Sequence, residues 1–145
     1  MNIASWMSLK HVLRLAGLLH FVQVPAMLYA PRMLDWESDL SKISVINRRI
    51  VQVMGGAIML TVLGTGLVVA VGSDDLAAGG TLATALCVFM CVFWTYRAAV
   101  QMFLYSRIWP QGALGRISHY ALCVLFSFLS VVYMWASRTS MFGHG

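Results

Sequence analysis

The sequence predicts an all-α integral membrane protein: four transmembrane helices in an up-down antiparallel bundle, with a short interfacial amphipathic helix between the first and second. Three observations carry that expectation. Of the 145 residues, 60% are hydrophobic and 10% charged, whereas an average soluble domain is about half apolar and a quarter charged. So small a soluble core cannot hide the excess. Residues 9–30, 50–72, 82–105 and 116–136 are apolar stretches bounded by charge, Gly or Pro, each near the roughly twenty residues that cross about 30 Å of hydrocarbon at 1.5 Å per residue. The cations gather at the ends of these stretches, and residues 1–145 read as a single four-span domain without room for a soluble catalytic one.

The first stretch, "LKHVLRLAGLLHFVQVPAMLYAP", is too long for a signal-peptide core and lacks a small-x-small cleavage site, so it reads as a retained span. Pro25 inside it removes a backbone donor and predicts a kink near Phe21. In the connection "RMLDWESDLSKISVIN", Met33, Trp36, Leu40 and Ile43 recur at spacings of three and four between Asp35, Glu37, Asp39 and Lys42, the pattern of a short helix lying in the interface. The second span carries Ala57, Thr61 and Thr65 at four-residue steps near Gly56 and Gly64, a small-residue face expected to pack closely. "SDDLAAGGT" reads as a turn. The short "SRIWPQGALGR" joins spans three and four as antiparallel neighbours. Trp6, Tyr29, Tyr105, Trp109, Tyr133 and Trp135 fall near span ends, as interfacial aromatics do.

The net charge of +5 suits membrane topology better than nucleic acid, because the cations form no patch. Lys10 and Arg138 share one side with Asp74 and Asp75; Arg32, Lys42, Arg48, Arg49, Arg107 and Arg116 lie on the other, while Arg14 is about one turn inside the first span. By the positive-inside rule the loops 31–49 and 106–115 are cytoplasmic and the N- and C-termini outside. This simple topology suits a bacterial inner membrane.

Polar residues inside the spans are the candidates for function. On the third span Trp94, Arg97, Gln101 and Tyr105 form one stripe; the first offers His20 and Gln23; the fourth offers His119, Cys123, Ser127 and Ser130, with Tyr120 beside them. A charge at mid-bilayer costs at least about 2.5 kcal/mol on insertion scales, so ionisable residues there usually face the bundle interior. The expected cofactor- or ligand-binding cluster is therefore His20, Gln23, Arg97, Gln101, His119 and Tyr120, open toward the cytoplasm. Two plainer readings stand beside it: a snorkelling Arg97, and glutamines that only join helices.

Haem b would need two imidazoles at matching depth, and His20 with His119 is the pair to consider, offset by more than one turn; His11 faces the other way and His144 is in the tail. The ten methionines and three cysteines, Cys87, Cys91 and Cys123, are too scattered for a copper(I) site, although Cys87 and Cys91 share a face. The odd cysteine number argues against a disulfide framework. Asp35, Glu37, Asp39, Asp74 and Asp75 all lie outside the spans, so no nucleophile-base-orienter constellation or carboxylate proton relay is visible.

At "APRML" and "NRRIVQVMGGAIMLTVLGTGLVV" the first half of the chain resembles small membrane proteins of the HemJ-type protoporphyrinogen oxidase and CopD-like kind, which also end a first span with Pro-Arg and enter the second through paired arginines. The resemblance implies a bundle that a porphyrin or quinone can approach. From the residues themselves the leading expectation is a non-catalytic accessory or structural subunit of a larger membrane complex, whose partners are the lipid bilayer, other membrane subunits or a second copy, and not nucleic acid. A haem- or quinone-linked redox protein and a small lipid or solute carrier are the alternatives.

Overall fold

The computed structural model describes residues 3–110 and 112–142, with side chains at 7–110 and 112–140. His144 and the Trp6 side chain lie outside the described residues. Four helical stretches, Met7–Met33, Val45–Val71, Thr81–Arg107 and Ala113–Ser140, are long and apolar enough to cross a membrane, and every regular element among the described residues is helical.

The first stretch is two helices, α1 (Ile3–Val22) and α2 (Val24–Met33), broken at Gln23. Pro25 has no N–H for the Phe21 carbonyl, so the expected kink forms there. The helix resumes at once, with the Met27 N–H donating to the Gln23 carbonyl at 2.9 Å. Asp35 then takes a left-handed conformation at φ 49°, which a short polar side chain tolerates, and redirects the chain into α3 (Trp36–Ser41). Arg48 closes the far end of α3, donating from Nε to the Leu40 carbonyl at 2.9 Å and from Nη2 to the Ser41 carbonyl at 3.3 Å. Beside it Lys42 donates to Asp39 at 2.8 Å, and this hydrogen bond with its charge raises the Lys42 pKa.

Ser44 caps α4 (Val45–Val71) by accepting from the Asn47 N–H. The expected turn after it contains a helix, α5 (Ser73–Ala78), whose first turn holds Asp74 and Asp75, favoured there by the helix dipole. Gly79 and Gly80, at φ 87° and 106°, supply the backbone angles that reverse the chain. α6 (Thr81–Ala99) continues into a π turn (Val100–Leu104) and a 3₁₀ turn (Tyr105–Arg107) before α7 (Ala113–Phe142).

Cross-contacts run in opposite chain directions within each pair. Lys10 pairs with Asp74, Gly17 abuts Ala70 and His20 abuts Gly66, so α1 and α4 are antiparallel. Thr95 and Ser130 share a hydrogen bond at 2.6 Å, and Gln101 meets His119 at 3.0 Å, so α6 and α7 are antiparallel too. The pairs join through α1 and α7. Buried apolar residues concentrate toward the α5 end: Leu9 to Ala16 on α1, Val62 and Val69 on α4, Leu76 and Ala77 on α5, Cys87 to Ala98 on α6 and Phe126 to Ala136 on α7. α2, α3 and residues 45–61 of α4 bury no side chain. The bundle is packed at one end and splayed at the other.

Two expectations are corrected here. The Ala57, Thr61 and Thr65 stripe is not the packing face: Gly56 and Gly64 have nothing near them, and the threonine hydroxyls donate to their own helix, Thr61 to the Ala57 carbonyl at 2.9 Å and Thr65 to the Thr61 carbonyl at 2.7 Å. Self-satisfied hydroxyls need no neighbour. The close approach is made by Gly17 and Gly66, where a Cβ would come within 2.5 Å of the Ala70 nitrogen and 2.6 Å of the His20 Cβ respectively. Tyr133, expected at an interface, is wholly buried against His20, because α7 extends beyond it to Phe142.

Gly17→Val is therefore expected to cost about 1–3 kcal/mol by overpacking against backbone, whereas Gly64→Ala, which meets open space, should be neutral or stabilising by up to ~1 kcal/mol. Thermal unfolding of the two variants in one detergent checks the contrast.

Candidate functional site

The splay leaves a cleft of about 1280 Å³ between α2, α3 and the first half of α4 on one side and the turns after α6 and the start of α7 on the other. Its walls include Trp36, Met59, Trp109, Leu122 and Phe126, and its polar lining includes Gln23, Arg48, Arg97 and Gln101. It opens at the end carrying the loops 31–49 and 106–115.

Gln23 stands at the break between α1 and α2, 4% exposed, with its Nε2 lacking any hydrogen-bond partner. A buried donor left so is costly, about 1–3 kcal/mol. Arg97 projects from the last turn of α6, its guanidinium carbon 5.1 Å from the centre of the Phe126 ring. Phe126 is a core residue, so the side chain turns inward rather than along the helix to its end. Among the described residues Arg97 forms no ion pair. The cation-π contact is its compensation, worth about 0.5–1 kcal/mol for a partly exposed guanidinium.

Gln101 is 2% exposed and lies in the π turn, a wider turn frequent at functional sites. Its amide nitrogen is 3.0 Å from His119 Nδ1, and His119 Nε2 is 3.8 Å from Cys123 Sγ. Trp109 Nε1 donates to Ser118 Oγ at 3.2 Å and its ring lies 6.2 Å from that of His119, which fixes this wall. Tyr120 is 67% exposed and meets His119 only edge-on from outside, at 5.5 Å.

His20 sits elsewhere. It is fully buried, and because a carbonyl can only accept, its Nδ1–H donates to the Ala16 carbonyl at 2.7 Å. This makes Nε2 the bare nitrogen of the neutral ring. The ring meets Trp94 at 5.0 Å and Tyr133 at 6.1 Å, both nearly perpendicular. His20 Nε2, Trp94 Nε1 and Tyr133 Oη all lack partners.

The six residues singled out in sequence thus divide. Gln23, Arg97 and Gln101 share the cleft, His119 stands behind Gln101, His20 lies in the core and Tyr120 points outward. Sequence reasoning missed the aromatic wall of Trp36, Trp109 and Phe126 and the α3 clamp by Arg48. In the sequence they read only as apolar or charged residues of their helices, with nothing to show that they face one cleft.

These residues do not fit haem. Among the described residues no imidazole lines the cleft. His20 touches Trp94 and His119 touches Gln101, positions about 10 Å apart along the third span, with Phe126 packed on Trp94 between them at 5.3 Å. Among the described residues no group of three His, Cys, Asp or Glu side chains stands close enough to hold a metal. No protein-family model, curated protein or solved structure matches the chain.

Removing an unpartnered buried hydroxyl relieves a penalty, so Tyr133→Phe should leave the melting temperature unchanged or raise stability by about 1 kcal/mol. His20→Ala, which empties the space between two rings, should cost about 3 kcal/mol. Parallel melting curves followed by Trp fluorescence read both.

Proposed function

We propose that this chain spans a membrane with its four long helices and serves as a small carrier or binder of a membrane-soluble amphiphile, held in the cleft. Arg97 carries this reading: its guanidinium stands over an aromatic ring in a largely apolar cleft, and among the described residues no carboxylate pairs with it, Asp35 and Glu37 of the same lining included. Gln23 Nε2 adds an unpaired donor to the same lining. Both groups call for acceptors, so the ligand head carries oxygens, as a phosphate, carboxylate or quinone carbonyl does. The aromatic and aliphatic walls suit its chain, as in most ligand sites.

The positive-inside rule puts the loops 31–49 and 106–115, and with them the mouth of the cleft, on the cytoplasmic side of a membrane such as a bacterial inner membrane. A second reading, the accessory subunit, draws on residues 45–61 of α4, none of which is fully buried within the chain and which leave a face that another helix can cover. That helix would have to bring an acceptor to Arg97.

Wild type, Arg97→Lys and Arg97→Leu, reconstituted with phosphatidylglycerol and phosphatidylethanolamine and released for native mass spectrometry, separate these readings. Loss of a charge-assisted contact is about 1.5–3 kcal/mol, so Arg97→Leu should retain an anionic lipid ~10-fold less or weaker still, with Arg97→Lys between. Equal retention by all three overturns the amphiphile reading. A stoichiometric polypeptide that accompanies wild type from native membranes and is lost from Arg97→Leu replaces it with the subunit.

A further inference from the structure

On the α6 and α7 side of the bundle, the geometry points to a reactive thiol: Cys123, His119 and Gln101 form a nucleophile, base and orienter, and we propose that Cys123 adds to membrane-soluble α,β-unsaturated carbonyl compounds. This inference does not rest on the amphiphile reading, since neither Arg97 nor Gln23 takes part.

Cys123 and His119 are one turn apart on α7, with Sγ 3.8 Å from Nε2. Gln101 reaches His119 from the other helix, its amide 3.0 Å from Nδ1. Two-helix assembly hid this array from the sequence, where the orienter was sought among carboxylates. Base and orienter contacts of this kind define an activated nucleophile. All three cysteines are free, but they are not equivalent. Cys87 is buried, while Cys91 and Cys123 are both partly exposed. Of these two, Cys123 has the imidazole and Cys91 has none, which makes Cys91 an internal standard.

The Gln101 amide chooses the tautomer. With the Gln101 Nε2–H donating to His119 Nδ1, the imidazole proton is on His119 Nε2, which then has no lone pair to accept the thiol proton. Turned over, the amide presents Oε1 to Nδ1–H, and the bare Nε2 accepts from the Cys123 S–H. In that state Nε2 takes the thiol proton as Sγ bonds to the β-carbon, and the alkene electron pair moves onto the carbonyl as an enolate. The enolate then recovers the proton from His119 at its α-carbon. Net, S–H adds across C=C, with no leaving group and no oxidant. Gln101 Oε1 supports the transient imidazolium, and its burial at 2% exposure keeps water from competing for Nδ1.

N-ethylmaleimide, an activated alkene that enters membranes, is the probe, with alkylation of Cys91 and Cys123 followed separately by peptide mass mapping on the full chain in detergent. Base assistance of this kind is worth about 10²-fold, so Cys123 should react ~10–100-fold faster than Cys91 and fall to the Cys91 rate in His119→Phe. Gln101→Glu, which can only accept at Nδ1, should keep or raise the Cys123 rate, while Gln101→Leu should lower it. An unchanged Cys91 rate reports an intact fold in each variant. Equal rates at the two cysteines in wild type, or Gln101→Glu no faster than Gln101→Leu, overturn the proposal.

Discussion

His20 is where the whole bundle meets. Its Cβ lies against Gly66 of α4, its ring stands edge-on to Trp94 of α6 and Tyr133 of α7, and its own Nδ1–H is tied back to α1. A side chain in contact with all three other long helices sets their separation at that depth. Close approach of two helix backbones needs small residues where they meet and a side chain shaped to fill the space between. The two glycines of α1 and α4 and this one ring supply the shape. Beyond them α6 and α7 stay joined through Gln101 and His119, while α2 and the first half of α4 stand apart from that pair, and the splayed end is the result.

The two ends consequently hold together by different means. At the closed end Lys10 and Arg14 of α1 converge on Asp74 of α5, tying a short surface helix to the packed core. At the open end, Arg48 reaches across eight residues of chain to the free carbonyls of α3, holding Trp36 and Leu40 over the cleft. One arginine on that side thus holds a short helix in place, while Arg97 rests on the Phe126 ring and among the described residues pairs with no carboxylate.

Much of the helix plan was legible because its cause is local. Stretches of apolar residues mark four long helices, and Pro25 marks the kink through its missing donor. That Gln23, Arg97 and Gln101 would come together was legible too, from their spacing along two helices, and they line one cleft. What escaped were matters of facing. Thr61 and Thr65 look like packing residues until their hydroxyls are seen to close on their own helix, and Gly66, not Gly64, makes the close approach. Tyr133 resembled an interfacial residue only while its helix was thought to end at 136. His20 and His119 parted company because their partners, Trp94 and Gln101, are set two turns apart on another helix, a relation no single stretch encodes.

The π turn at Val100–Leu104 has a further meaning for how this chain can change. One surplus residue in a helix advances everything beyond it by about 100°, so the surfaces before and after the turn are set independently of each other. Excising a single residue there would restore regular winding and swing Tyr105 and Trp109 away from their present wall without disturbing Trp94. The closed half can therefore stay as it is while the mouth is remodelled in discrete rotational steps, a hereditary latitude that a continuous α-helix would deny.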